Sequence, residues 1–156
     1  MRFLTLAAVL IFLLGAAGLA HGQGMSPPNP PDSHIADGSL QRALDDAQRR
    51  WKAAGVRSYR YEIERSCFCG RQTLRLVIVR GGVIKRHPPG MKSVATIPRL
   101  FGLIQGAIDG GASRITATYG KRGVPREIYV DRVLYVSDEE TGYSTRRFTP
   151  LKQRAR

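Results

Sequence analysis

The chain has 156 residues, with 25 Lys and Arg against 12 Asp and Glu, a formal charge of +13. That is one domain's length, enough to bury a core without the cross-links that chains below about 40–70 residues need. The charge favours anionic partners, but basic residues stand singly or in pairs from Arg42 to Arg156 and form no dense block.

Residues 1–22 read as a signal peptide. An apolar run from Phe3 to Leu14 follows Arg2, and the small residues of 15–20 lead to a cut after Ala20 or Gly22. The competing reading is an uncleaved anchor, since the run approaches the ~20 apolar residues of a span. Two glycines break its second half, and no basic cluster follows it. In either case the domain is expected outside the cytoplasm, periplasmic or secreted, and a membrane is a partner only if the signal stays uncleaved. No cysteine lies at the cut, so a lipoprotein anchor is not expected.

Residues 23–36 hold four prolines within five positions and one aliphatic, Ile35. They read as a semi-rigid, poorly ordered linker. A single domain is expected over 37–150, and a basic tail over 151–156.

Leu40, Ala43, Leu44, Ala47, Trp51 and Ala54 recur at three- and four-residue steps, which predicts a helix over 39–54 closed by Gly55. Tyr59, Tyr61 and Ile63 alternate with charged residues, predicting a half-buried strand. Strands over 73–79 and 83–85 flank the Gly81-Gly82 turn and make a hairpin. Thr96 caps a second helix with Pro98 in its first turn and a buried face of Ile97, Leu100, Phe101, Ile104, Ala107 and Ile108. Strands follow over 113–119, 125–130 and 143–148, with Leu134 to Val136 extending one or adding another. Short links demand antiparallel pairing. The expected class is α+β, two helices packed on one face of an antiparallel β-sheet in the order α-β-β-β-α-β-β-β. Trp51, Tyr59, Tyr61 and Phe101 are its expected core anchors.

No nucleophile elbow, metalloprotease motif, phosphate loop or dinucleotide fingerprint is present. His87 is the only histidine inside the domain. Catalytic residues and cofactors are therefore not expected, and the reading leans away from an enzyme.

Cys67 and Cys69 are the only cysteines. In an exported chain they can close a local disulfide, since a bend brings residues i and i+2 within reach. So small a ring adds little stability. Unpaired thiols, or a redox or metal site, remain the alternatives. Asp131, Asp138 and Glu139, with His87, are weak metal candidates, because carboxylates on a turn can collect calcium. The plainer reading is a solvated acidic loop beside Arg132, Arg146 and Arg147. Tyr59-Arg60-Tyr61 mixes aromatic and basic residues, but its period puts the rings in the core, and nucleic acid is not an expected partner.

Trp51, Ser58-Tyr-Arg-Tyr61 and Ser66-Cys-Phe-Cys69, with Val124-Pro125, Ile128, Val130-Asp131 and Asp138-Glu139, resemble an uncharacterised family of bacterial exported proteins and lipoproteins. The likeness covers about residues 45–148 and implies export and a single domain, without an activity. It departs at Tyr119-Gly120, where members often carry Tyr-Asp. The expected function is a non-enzymatic binding module of the cell envelope, with an envelope protein or an anionic envelope component as partner. The alternatives are a thiol-redox or metal-handling protein using Cys67 and Cys69, and an electrostatic binder of anionic envelope polymers or lipid headgroups.

Overall fold

The computed structural model describes residues 29–69 and 73–152. The signal segment, the start of the linker and most of the tail lie outside the described residues. In chain order the elements are α1 (Ser33–Ala36), α2 (Ser39–Ala54), β1 (Tyr59–Cys67), β2 (Arg75–Arg80), β3 (Val83–Arg86), a 3₁₀ turn (Lys92–Val94), α3 (Ile97–Asp109), β4 (Arg114–Tyr119), β5 (Pro125–Asp131) and β6 (Thr141–Pro150).

The expected class does not fit. The molecule is dominated by a six-stranded antiparallel sheet with three small helices, and its order is α-α-β-β-β-α-β-β-β with the 3₁₀ turn before α3. The first helix arises inside the stretch read as linker, and four residues are too few to show a helical period. Asp32 caps it by accepting the His34 N–H at 2.8 Å. Ile35, the lone aliphatic there, packs against the core.

The second half of that stretch is therefore no free spacer. The Asn29 side chain donates to the Arg132 carbonyl at 2.7 Å and accepts from the Leu134 N–H at 3.0 Å. Asp32 joins the edge of the sheet, its carboxylate accepting the Ile115 N–H at 3.0 Å. Leu134 to Val136 form part of a loop, not a strand.

The sheet order is β3-β2-β1-β6-β5-β4. Two three-stranded meanders thus meet along the β1–β6 seam, which runs from Tyr59 opposite Pro150 to Cys67 opposite Thr141. A bulge interrupts the seam, where Arg147 and Phe148 together face Tyr61, and Arg147 takes φ +51°. The extra residue leaves Arg146 and Arg147 both exposed and returns Phe148 toward the core.

Leu40, Leu44 and Ala47 of α2 and Ile97, Leu100, Phe101, Ile104 and Ala107 of α3 share one core with Tyr59, Tyr61, Ile63, Val77, Val79, Ile128 and Val130 of the sheet. Gln41 and Gln105 tie the two helices by reciprocal amide bonds of 2.9–3.0 Å.

The β4–β5 turn presses on α2. A Cβ at Gly123, whose φ is +77°, would stand 1.9 Å from the Ala47 carbonyl oxygen. Gly55 is also left-handed, at φ +58°, but has open space around it. Gly55→Ala should cost about 1–2 kcal/mol from the backbone alone. Gly123→Ala should cost more than about 3 kcal/mol, because backbone must move as well. Urea unfolding compares the two, and equal losses would refute the close approach.

Candidate functional site

A groove of about 740 Å³ opens where the end of α2, the start of β1, the β2–β3 turn and the start of α3 converge. Four segments build it, and each is placed by a local cause. Gly55 ends α2 in a left-handed cap and turns the chain, so that Trp51, Val56 and Arg57 line one side. Gly82, φ +85°, closes the hairpin that presents Val83 and Ile84. Thr96 caps α3 by accepting the Arg99 N–H at 3.2 Å, which sets Pro98 and Arg99 on the rim beside Lys92. The Arg99 guanidinium donates to the Lys92 carbonyl and holds the two cations together.

The floor is aromatic. Trp51 meets Tyr59 edge-on at 5.4 Å between centroids and Phe148 at 5.7 Å, and Tyr59 lies 5.5 Å from Phe148. The Tyr59 hydroxyl accepts the Ile97 N–H at 3.1 Å, and the Tyr61 hydroxyl donates to the Val94 carbonyl at 3.3 Å. Burial pushes the Tyr59 phenol above its ordinary pKa, and the Ile97 N–H pulls partly back. Burial, followed by the neighbouring Tyr59, pushes Tyr61 up as well. Both hydroxyls are thus neutral structural groups that hold the α3 wall to the sheet.

The lining offers Val56, Val83, Ile84 and Pro98 as apolar wall and Arg57, Lys92 and Arg99 as exposed cations. Among the described residues that line it there is no carboxylate, histidine or cysteine. An apolar trough with a cationic rim suits a flat or linear apolar body that ends in an acidic group.

Of the expected anchors, Tyr59, Tyr61 and Phe101 are buried, at 2%, 0% and 5% exposure. Trp51 is only half-buried, and its free edge lines the groove. The groove itself escapes sequence reasoning, because its residues come from segments up to 48 positions apart and none forms a motif.

The weak metal candidates are brought together only in part: the Glu139 carboxylate approaches Asp131, while His87 stands apart. His87 follows edge strand β3 and bonds the Pro88 carbonyl at 2.7 Å. Asp131 ends β5, with three strands between. Asp138 and Glu139 lie in the loop after Asp131, where the Glu139 carboxylate accepts the Val133 N–H. Among the described residues no group of three or more His, Cys, Asp or Glu is arranged to hold a metal. Cys67 and Cys69 are adjacent, with Cα atoms 5.1 Å apart, at the far end of β1 from Tyr59.

Asp131 is buried, at 7% exposure. Burial first, and then the charges of Glu139 and Glu140, push its carboxyl above the ordinary pKa, while Arg114 partly offsets them.

The family model described as a family of unknown function (DUF6174) matches residues 43–150. No curated protein and no solved structure matches the chain.

Two predictions follow from this geometry. Tyr59→Phe leaves the buried Ile97 N–H without its acceptor and should cost about 1–3 kcal/mol; a loss under about 0.5 kcal/mol in urea unfolding would mean that water replaces the phenol. For Asp131 the folded chain holds the proton more tightly than the unfolded one, so stability is lost as pH rises through the raised value. Asp131→Asn should therefore raise the melting temperature at pH 7, and the gain should vanish near pH 3, below the ordinary carboxyl range of about 4. A gain independent of pH would refute the assignment.

Proposed function

The chain belongs to the DUF6174 family of unknown function, and we propose that it is a binding module of the cell envelope whose ligand is an anionic amphiphile held in the Trp51 groove. The observation that carries this reading is the lining: an apolar trough beside Arg57, Lys92 and Arg99 with no opposing carboxylate. Its volume lies within the roughly 300–1,000 Å³ of small-molecule sites. Trp51 and Ile84 would cover the apolar body, and the three cations would meet the acidic head at the rim. Work outside the cytoplasm is supported by the signal pattern of residues 1–22, and an anionic partner by the net charge of +13.

Trp51 is the only tryptophan, so its emission reports on the groove directly. Titration with decyl phosphate below its micelle concentration should shift Trp51 emission saturably. Lys92→Ala with Arg99→Ala should weaken binding about tenfold, from two exposed charge contacts of ~0.7 kcal/mol each. Decanol binding as tightly as decyl phosphate would remove the anionic requirement. An unchanged Trp51 spectrum with both ligands would remove the groove. Fractionation of cells expressing the full chain tests the location, and retention in the cytoplasm would rule out the envelope role.

A further inference from the structure

The groove leaves the other end of β1 unexplained. Cys67 is the last residue of that strand, opposite Thr141 of β6, and the chain leaves the sheet in a turn at Phe68 and Cys69. The stability a cross-link adds rises slowly, with the logarithm of the chain length it closes, and a ring spanning a single residue contributes least. The pair therefore does little to hold the domain together. It does hold the turn. The Cα atoms of Cys67 and Cys69 are 5.1 Å apart, whereas two steps of extended chain span roughly 6.6–7 Å.

The surroundings are those of a contact surface. Phe68, between the two cysteines, is 80% exposed, and Cys69 is exposed where Cys67 is half-buried. The loop that leads into Thr141 begins at the same end of the sheet, and its Leu134, Tyr135 and Val136 are 47%, 63% and 50% exposed. Three consecutive large apolar side chains left in water are the kind of surface that a partner covers.

We propose that Cys67 and Cys69 form a disulfide that is passed to extended, cysteine-bearing polypeptides, with Phe68 and the 134–136 loop as the apolar platform that seats them. A thiolate of the substrate attacks Sγ of the exposed Cys69. The Cys67–Cys69 bond breaks, Cys67 leaves as a thiolate and takes a proton, and a mixed disulfide joins the substrate to Cys69. A second substrate thiol, as thiolate, attacks the substrate sulfur of that bond. Cys69 leaves and is protonated, and the substrate keeps the new disulfide. Two electrons and two protons pass from the two substrate thiols to Cys67 and Cys69, and one exchange needs no other reagent. This activity is independent of the Trp51 groove, so each reading can fail alone.

The test uses the full chain after export and a synthetic peptide with two cysteines among apolar residues. Peptide and protein are mixed, quenched in acid, alkylated and weighed. Loss of two hydrogens from the peptide should match the gain of two alkylatable thiols on the protein. Because the chain has no other cysteine, Cys67→Ser should give no peptide disulfide while its lone Cys69 remains open to alkylation, and Cys69→Ser should likewise be inactive. Phe68→Ser should slow peptide oxidation about tenfold, the effect of losing roughly 1.4 kcal/mol of apolar contact, while leaving reduction by dithiothreitol unchanged. The proposal is overturned by thiols already free in the exported protein, by a pair that stays closed in excess dithiothreitol, or by a peptide that is never oxidised. It is also overturned if Phe68→Ser slows both reagents equally, since that would make Phe68 part of the turn and not of a platform.

Discussion

The hydrogen bond from the Ile97 N–H to the buried Tyr59 hydroxyl is the constraint on which the rest of the domain depends. Tyr59 is the first residue of β1, and its ring also touches Trp51 at the end of α2 and Phe148 near the end of β6. The end of one helix, the start of another and two central strands thus meet at one side chain. A buried helix N-terminus has donors that no carbonyl of its own can satisfy. Here a neutral phenol supplies one acceptor and Thr96 another. Because Lys92, Pro98 and Arg99 stand on the segment held this way, the geometry of the groove follows from the core and not from its own rim.

The β1–β6 seam is the second determinant. Each meander alone is three strands, the smallest sheet that stands by itself in water, and then only with its apolar face covered. Pairing β1 with β6 makes one sheet and lets both meanders share a core with the helices. The bulge at Arg147 reconciles two demands on this seam. Without the extra residue, strict alternation would place Phe148 on the face opposite Tyr59, and Trp51 and Tyr59 would lose the ring they pack against. A residue held at positive φ is an unfavourable conformation that only a strong surrounding requirement maintains. Arg147, thrown outward, then reaches Glu62 at 3.0 Å, an exposed pair that adds little by itself.

Regular elements with a clear apolar period were legible in the sequence. The stripe from Leu40 to Ala54 and the Thr96 cap with its following apolar face lie where α2 and α3 form, and the alternation from Tyr59 to Ile63 lies in β1. Missed features share a different cause. α1 rests on one capping carboxylate and one docked isoleucine, neither of which makes a period. Leu134 to Val136 have the residue types of a strand but no partner strand, and Asn29, from over a hundred positions away, takes the Leu134 N–H instead. Trp51 reads as a core residue because its helical phase is apolar. Only the tertiary arrangement shows that its other edge faces the groove.

Charge acts differently at the two ends of β1. A net charge of +13 raises the local concentration of any anion, an attraction that falls away within a screening length of roughly 8–10 Å in physiological salt. Such attraction speeds encounter and selects nothing. Selection requires that charge and apolar surface be met together, and Arg57, Lys92 and Arg99 are set beside Trp51 and Ile84 in that way. At the Cys67 end exposed apolar side chains, Phe68 and Leu134 to Val136, share the surface with Arg132 and with the acidic Asp138, Glu139 and Glu140 of the same loop. Two chemically distinct surfaces consequently sit at opposite ends of one nine-residue strand, and a ligand at one has no steric reason to exclude a partner at the other.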